Sequence, residues 1–283
     1  MAQLVSELVE LLDLEELEVN IFRGHSPPDA RERVFGGQVA AQALVAAGRT
    51  VPSDRPPHSL HCYFLRPGDI DTPIVYFVDR IRDGRSFTTR RVVAIQHGEA
   101  IFNMSASFQV EEQGLSHQMP PPAVPDPESL PNFAERARRM FGERVPDWID
   151  RRRAIDMRWC EPPDWRPARG ERPQQRVWMR ADGELPDDPV VHRAVFVYAS
   201  DYTLTETVMR PHGVHWMNGT VFSASLDHAL WFYDEARADQ WWLYVQDSPA
   251  AAGARGLARG MIYSRDGRLV CAVTQEVLLR RRG

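Results

Sequence analysis

The chain has 283 residues, 43% hydrophobic and 26% charged, with a net charge of −5. These are globular values, enough for one large domain or two ordinary ones, and no overall basic field points to nucleic acid. Every basic residue is arginine, which excludes a Schiff-base lysine and a phosphate-loop lysine.

Cys62, Cys160 and Cys271 form no CxxC and no metal-ligand spacing, which fits a reducing compartment. The first residues are acidic and amphipathic without a basic n-region, so they predict a helix and not a signal peptide. No apolar run approaches membrane-spanning length, and the closing RRRG carries no peroxisomal or lipidation signal. A cytoplasmic location without a membrane span is expected, and nothing calls for a cofactor or a metal.

In chain order, residues 4–14 predict a short amphipathic helix, 18–22 a strand, and Ser26-Pro27-Pro28 a turn. Gly36-Gly37 opens an alanine-rich helix that Gly48 closes; such small residues permit close packing and enclosure by a sheet. Gly-Gly is not a phosphate loop here, since neither GxGxxG nor GxxxxGK[ST] is present. From His58 the period changes to two. HSLHCYFLRPGD, PIVYFVDRIRDG, SFTTRRVVAIQHG and AIFNMSASFQV are four strand candidates separated by Pro-Gly, Asp-Gly and His-Gly turns. Strands joined by short turns after a helix imply an antiparallel sheet with the helix against one face.

The stretch 113–131, with MPPPAVPDPESLP, cannot join a sheet interior. A short amphipathic helix is predicted over 133–141, and Arg151-Arg152-Arg153 reads as a solvated surface in a net-acidic chain. Trp148, Trp159, Trp165 and Trp178 lie among prolines and predict an ordered linker packed onto the body.

The order then repeats. Residues 175–181 predict a strand, and Asp188-Pro189 an N-cap followed by proline at the first helical position. Val191, Ala194, Val195, Tyr198, Tyr202, Thr205 and Val208 form one inward stripe of a helix that Pro211 and Gly213 end. Asp201 falls on that stripe, where a carboxylate must be paired, hydrogen-bonded or used. The bland alternative is a wrong phase that leaves Asp201 solvated. SASLDHALWFY, QWWLYVQDS, ARGLARGMIYSRDG and RLVCAVTQEVLLR are four further strands.

Setting the halves side by side places His61 over His228, Gly98 over Gly267 and Gln38 over Asp201 at nearly constant offset. This predicts an α+β duplication with a first unit over 1–115, an ordered Pro/Arg-rich linker over 116–173 and a second unit over 174–283. Where the second half has Asp201, Ser225 and Gln275, the first has Gln38, His58 and Ala106. An acid, a hydroxyl and an amide suit activation of a water, with Asp201 as general base; independent drift at each position is the alternative. A serine triad is disfavoured because an extended strand puts Ser225 and Asp227 on one face and His228 on the other, and no GxSxG elbow exists. Cys62 and Cys271 read as core thiols, and His58-x-x-His61 has the wrong parity for a metal site.

The chain resembles the type II acyl-CoA thioesterase family, whose fold is a double hotdog. The resemblance rests on VFGGQVAAQAL, HSLHCYFLRPGD, RDGRSFTTRRVVAIQHGEAIFNMSASFQ, PDDPVVHRAVFVYASD, MRPHG, SLDHALWF, AGARGLARG and TQEVLLR, in the family's order. It implies two tandem helix-wrapped antiparallel sheets forming one continuous sheet. It also implies hydrolysis of acyl-CoA to free acid and CoA by direct water attack. The family's catalytic Asp, Thr or Ser, and Gln fall on Asp201, Ser225 and Gln275. Gly37, Gln38 and His58 are candidate substrate-binding residues, with N–H groups at Gly36-Gly37 polarising the thioester carbonyl. Two departures are Ser at 225, where Thr is commoner, and DEARADQW after WFY, where a more basic and apolar segment is usual. Further association into a homo-oligomer through the sheets is implied too. The alternatives are a hotdog enoyl-CoA hydratase or dehydratase using His212 or His215, and a non-catalytic acyl-CoA binding protein.

Overall fold

The computed structural model describes residues 4–27, 33–142, 145–162, 173–214 and 219–282. Trp165 and His215, both singled out above, lie outside these residues. The N-terminal helix α1 (Val5–Leu12) buries Val5, Leu8, Leu11 and Leu12 on one face. The strand expected at 18–22 is instead a hairpin, β1 (Glu15–Glu18) with β2 (Ile21–Gly24). Asn20 turns it with φ of 63°, a left-handed conformation that asparagine tolerates better than most residues.

Helix α2 (Gly36–Gly48) is buried from Gly37 to Ala47, so small side chains serve on every side of it. Four antiparallel strands follow: β3 (Pro57–Phe64), β4 (Ile74–Asp83), β5 (Phe87–Gln96) and β6 (Glu99–Gln109). Their inward positions, such as Leu60, Tyr76, Val92 and Met104, carry the core, while Tyr63 and Phe77 on the outer face stay exposed.

Between the halves, α3 (Phe133–Phe141) starts at a capping box in which Asn132 and Glu135 exchange hydrogen bonds. Strand β7 (Ile155–Trp159) lies within the stretch expected to be linker and pairs with β8 (Gln174–Ala181) at the sheet edge. Trp159 is buried there, beneath the Arg136 guanidinium.

The second helix is α4 (Pro189–Ser200), capped by Asp188, whose carboxylate accepts from the Val190 N–H. It does not run on to Pro211. It breaks at Asp201, turns, and restarts as α5 (Leu204–Met209). The break is fastened from the sheet: the Gln175 amide donates to the Thr203 carbonyl (2.8 Å) and Thr207 Oγ1 (2.6 Å), and Gln246 donates to Thr203 Oγ1 (2.5 Å). All four side chains are buried, so the network is satisfied internally.

The closing strands are β9 (Val221–Ser225), β10 (Asp227–Phe232), β11 (Trp242–Ala252), β12 (Arg255–Ser264) and β13 (Leu269–Arg281). All pairing is antiparallel, in the order β1-β2-β4-β5-β6-β3-β10-β13-β12-β11-β8-β7, with β9 also on β13. The β3–β10 pair joins the two halves into one sheet, with His228 opposite Cys62. The sheet wraps α2 and α4, which pack together closely; a Cβ on Gly37 would lie 2.4 Å from the Tyr198 carbonyl oxygen. This is the double hotdog that the resemblance implied.

Candidate active site

Asp201 occupies the C-cap of α4, with φ of −80° and ψ of −4°, and is only 8% exposed. Helix α2 meets it from the other half. Its own N-cap, Phe35, has no side chain able to accept, so the first turn has donors to spare. The Gly37 N–H donates to Asp201 Oδ2 at 2.9 Å. A carboxylate from the second half thus caps the helix of the first, at the end where the helix dipole favours negative charge. Gly36 is needed for the approach: a Cβ there would stand 2.8 Å from Asp201 Oδ2 and 2.9 Å from the Phe64 ring.

Ser225 and Gln275 arrive from two strands. The Ser225 hydroxyl donates to Asp201 Oδ1 at 3.0 Å, and the Gln275 amide donates to Ser225 Oγ at 2.8 Å. The acid, the hydroxyl and the amide are therefore one hydrogen-bonded cluster. Burial raises the Asp201 pKa to about 6, against the opposing pull of Ser225, Gln275 and the Gly37 N–H. The neighbouring ionisable groups, Cys62, Tyr202 and Tyr244, are pushed well up by burial and stay neutral. Phe35, Tyr198 and Tyr202 pack against one another, two pairs T-shaped and one tilted, with centroids 5.0 to 5.7 Å apart.

The candidate substrate-binding residues all make contacts within the chain. The Gly37 N–H donates to Asp201 Oδ2 and in this structure holds the acid. Gln38 is 2% exposed, and its amide donates to the His25 carbonyl and Ser26 Oγ, tying down the segment after β2. It sits in the first turn of α2 whereas Asp201 ends α4, so the two are not equivalent positions. His58 pairs with Ser107 Oγ at 2.8 Å and packs edge-on against Phe87, in a partly buried setting of the first half.

The strand expected over 223–233 is interrupted at Leu226. Ser225 pairs with Val277 but Ala229 with Thr274, a shift that marks a bulge. Its effect is to turn both Ser225 and His228 inward, toward Gln275, while Asp227 faces out to His61 (3.1 Å). The parity argument against a serine triad therefore fails. The triad is absent for another reason: Ser225 donates to Asp201, and His228 Nε2 is bonded to Ser200 Oγ at 2.8 Å. The bulge also undoes the alignment of exposed His61 with fully buried His228.

His212 is exposed beyond α5. Among the described residues no group of His, Cys, Asp or Glu is arranged to hold a metal. A cavity of about 290 Å³, lined by His192, Arg193, Phe196 and Phe232 among others, opens toward the start of α4 and includes none of the cluster. No helix among the described residues is long and apolar enough to cross a membrane.

Comparison with known proteins agrees with this architecture. Residues 25–109 match the family model of the acyl-CoA thioesterase N-terminal domain, and residues 149–278 that of acyl-CoA thioesterase. Acyl-coenzyme A thioesterase 8 of Mus musculus is 39% identical, over 96% of this chain and 88% of its own. Acyl-CoA thioesterase 2 of Haemophilus influenzae is 36% identical over 99% of both. The crystal structure of acyl-CoA thioesterase II TesB2 from Mycobacterium marinum superposes with a TM-score of 0.81 at 45% identity, covering 98% of this chain and 99% of that one. Similarity of this extent at full length establishes that the chain belongs to the acyl-CoA thioesterase family.

Proposed function

We propose that the protein hydrolyses acyl-CoA to free acid and CoA, with Asp201 as the general base that activates a water. The observation that carries this reading is the buried carboxylate joined to a hydroxyl and an amide from two strands. Ser225 and Gln275 orient the carboxylate and the water; Asp201 accepts a proton as the water oxygen adds to the thioester carbonyl carbon. The tetrahedral oxyanion collapses, the C–S bond breaks, and CoA leaves as the thiolate, which recovers the proton. With a pKa of about 6, Asp201 is mostly ionised at neutral pH yet basic enough to accept. The Gly37 N–H keeps the base in place, so the developing oxyanion draws on other donors.

Thiol release from palmitoyl-, hexanoyl- and acetyl-CoA, measured for the wild type and Asp201→Asn, tests the proposal. Release by the wild type and its loss in the variant is the expected pair; saturable binding without release favours a binding protein. A cytoplasmic homo-oligomer belongs to the same reading. Exposed Tyr63, Phe77, Phe87 and Trp231 on the strands support association through the sheet, and light scattering of the purified protein tests it.

A further inference from the structure

His228 is a fully buried histidine that the proposed chemistry does not use. On one side its Nε2 lies 2.8 Å from Ser200 Oγ, a hydroxyl one residue before Asp201. On the other side it stands next to Gln275: Ala229 pairs with Thr274, and His228 is one step along the same ladder. His228 Nδ1 and Gln275 Oε1 are both buried and neither has a hydrogen-bond partner in this structure, and Gln275 is among the groups that act on the His228 ring. Burial holds the His228 pKa down at about 4, so the ring is neutral and carries one proton on one nitrogen.

The site of that proton decides how the Gln275 amide is oriented. Ser225 gives its only proton to Asp201 Oδ1, so Ser225 Oγ must receive N–H from Gln275. This turns Gln275 Oε1 toward His228, where an Nδ1–H meets it well and a bare Nδ1 would repel it. With Nδ1 protonated, Nε2 accepts from the Ser200 hydroxyl, which has the Val197 carbonyl at 2.9 Å as its alternative acceptor.

We propose that His228 is a positioning residue: as the Nδ1–H tautomer it donates to Gln275 Oε1 and so fixes the amide that holds Ser225 against Asp201. One chain of donors then runs Ser200 to His228 to Gln275 to Ser225 to Asp201. This rests on the reading of Asp201 and Gln275 given above.

The test uses two substitutions that each keep one ring nitrogen's place. His228→Asn keeps a donor near Nδ1, and His228→Gln keeps a polar group near Nε2. Positioning through Nδ1 predicts that His228→Gln lowers kcat about tenfold or more with little change in KM, the loss expected for an unsatisfied active-site acceptor. His228→Asn should retain most of kcat. Long-range proton–nitrogen NMR of the wild type, with the His228 signal identified by its loss in either variant, should show the proton on Nδ1. Better rescue by Gln than by Asn, or a proton on Nε2, overturns the proposal and leaves a purely structural tie to Ser200. If either variant fails to fold, the tautomer of the wild type still decides. Asp201→Asn is the control: its failure to abolish turnover sinks the underlying mechanism, whereas its success with unaffected His228 variants sinks only the role of His228.

Discussion

Asp201→Asn separates function from stability. The wild-type carboxyl titrates at about 6 when folded, against about 3.9 in an unfolded chain. The folded state therefore disfavours the ionised form, by about 2 units or roughly 3 kcal/mol at 1.36 kcal/mol per unit. The sign follows from a raised carboxylate pKa. The destabilisation is absent below about pH 4, grows as pH rises, and is fully present above about pH 6. Asparagine removes it. Its oxygen can still accept from the Gly37 N–H, but the Ser225 hydroxyl loses an acceptor, at about 1 kcal/mol. Asp201→Asn should thus be more stable than the wild type at pH 8 by about 1–2 kcal/mol and no more stable at pH 4. At pH 8, where the wild-type carboxylate is ionised, its kcat should be lower by ~10²–10⁴-fold. Denaturant unfolding of both proteins at the two pH values, beside thiol release, reads both quantities. A stability difference that does not change with pH, or near-full turnover by the variant, refutes the reasoning.

Three other outcomes follow from the same geometry. The acid limb of kcat/KM should fall near pH 6, with activity rising as Asp201 ionises, because Cys62, Tyr202 and Tyr244 stay neutral above that range and His228 stays neutral down to about 4; a limb near pH 4 contradicts the assignment. Ser225→Ala should lower kcat by at least ~10-fold, as removal of a buried charged-group hydrogen bond implies, whereas Ser225→Thr keeps the hydroxyl and should keep most of the rate in the same steady-state assay. Gly37→Ala forces a Cβ to within 2.4 Å of the Tyr198 carbonyl oxygen, a backbone atom that cannot turn aside. Parting α2 from α4 should destabilise the protein by about 1–3 kcal/mol, measured by thermal unfolding.

Much of this was legible before any coordinates. Turn pairs such as Asp83-Gly84 and His97-Gly98 lie beside the strand boundaries around β5, and an all-small helix foretold close packing of α2. The sequence also singles out Asp201, Ser225 and Gln275, because an acid on an apolar stripe is conspicuous and the motif order resembles one family, and the fold brings the three into one hydrogen-bonded cluster. The helix break after Asp201 was not legible. The apolar stripe continues through Tyr202, Thr205 and Val208, and the break is held by Gln175 and Gln246 from distant strands. The bulge at Leu226 was hidden for a similar reason: SASLDHALWF reads as one strand, and only the pairing with β13 shows the slipped register. That slip reversed the face assigned to His228. The contact of Gly37 with Asp201 is hidden as well, because no local signal shows that a helix lacking its own cap borrows one from the other half.

A single turnover with enzyme in excess, run in water enriched in ¹⁸O and read by mass spectrometry of product and protein, tests the water-attack mechanism most directly. Attack by a water that Asp201 deprotonates puts one ¹⁸O into the first acid released and leaves the protein unlabelled and unacylated. An acyl adduct on Asp201 or Ser225, or ¹⁸O in the Asp201 carboxylate, contradicts it.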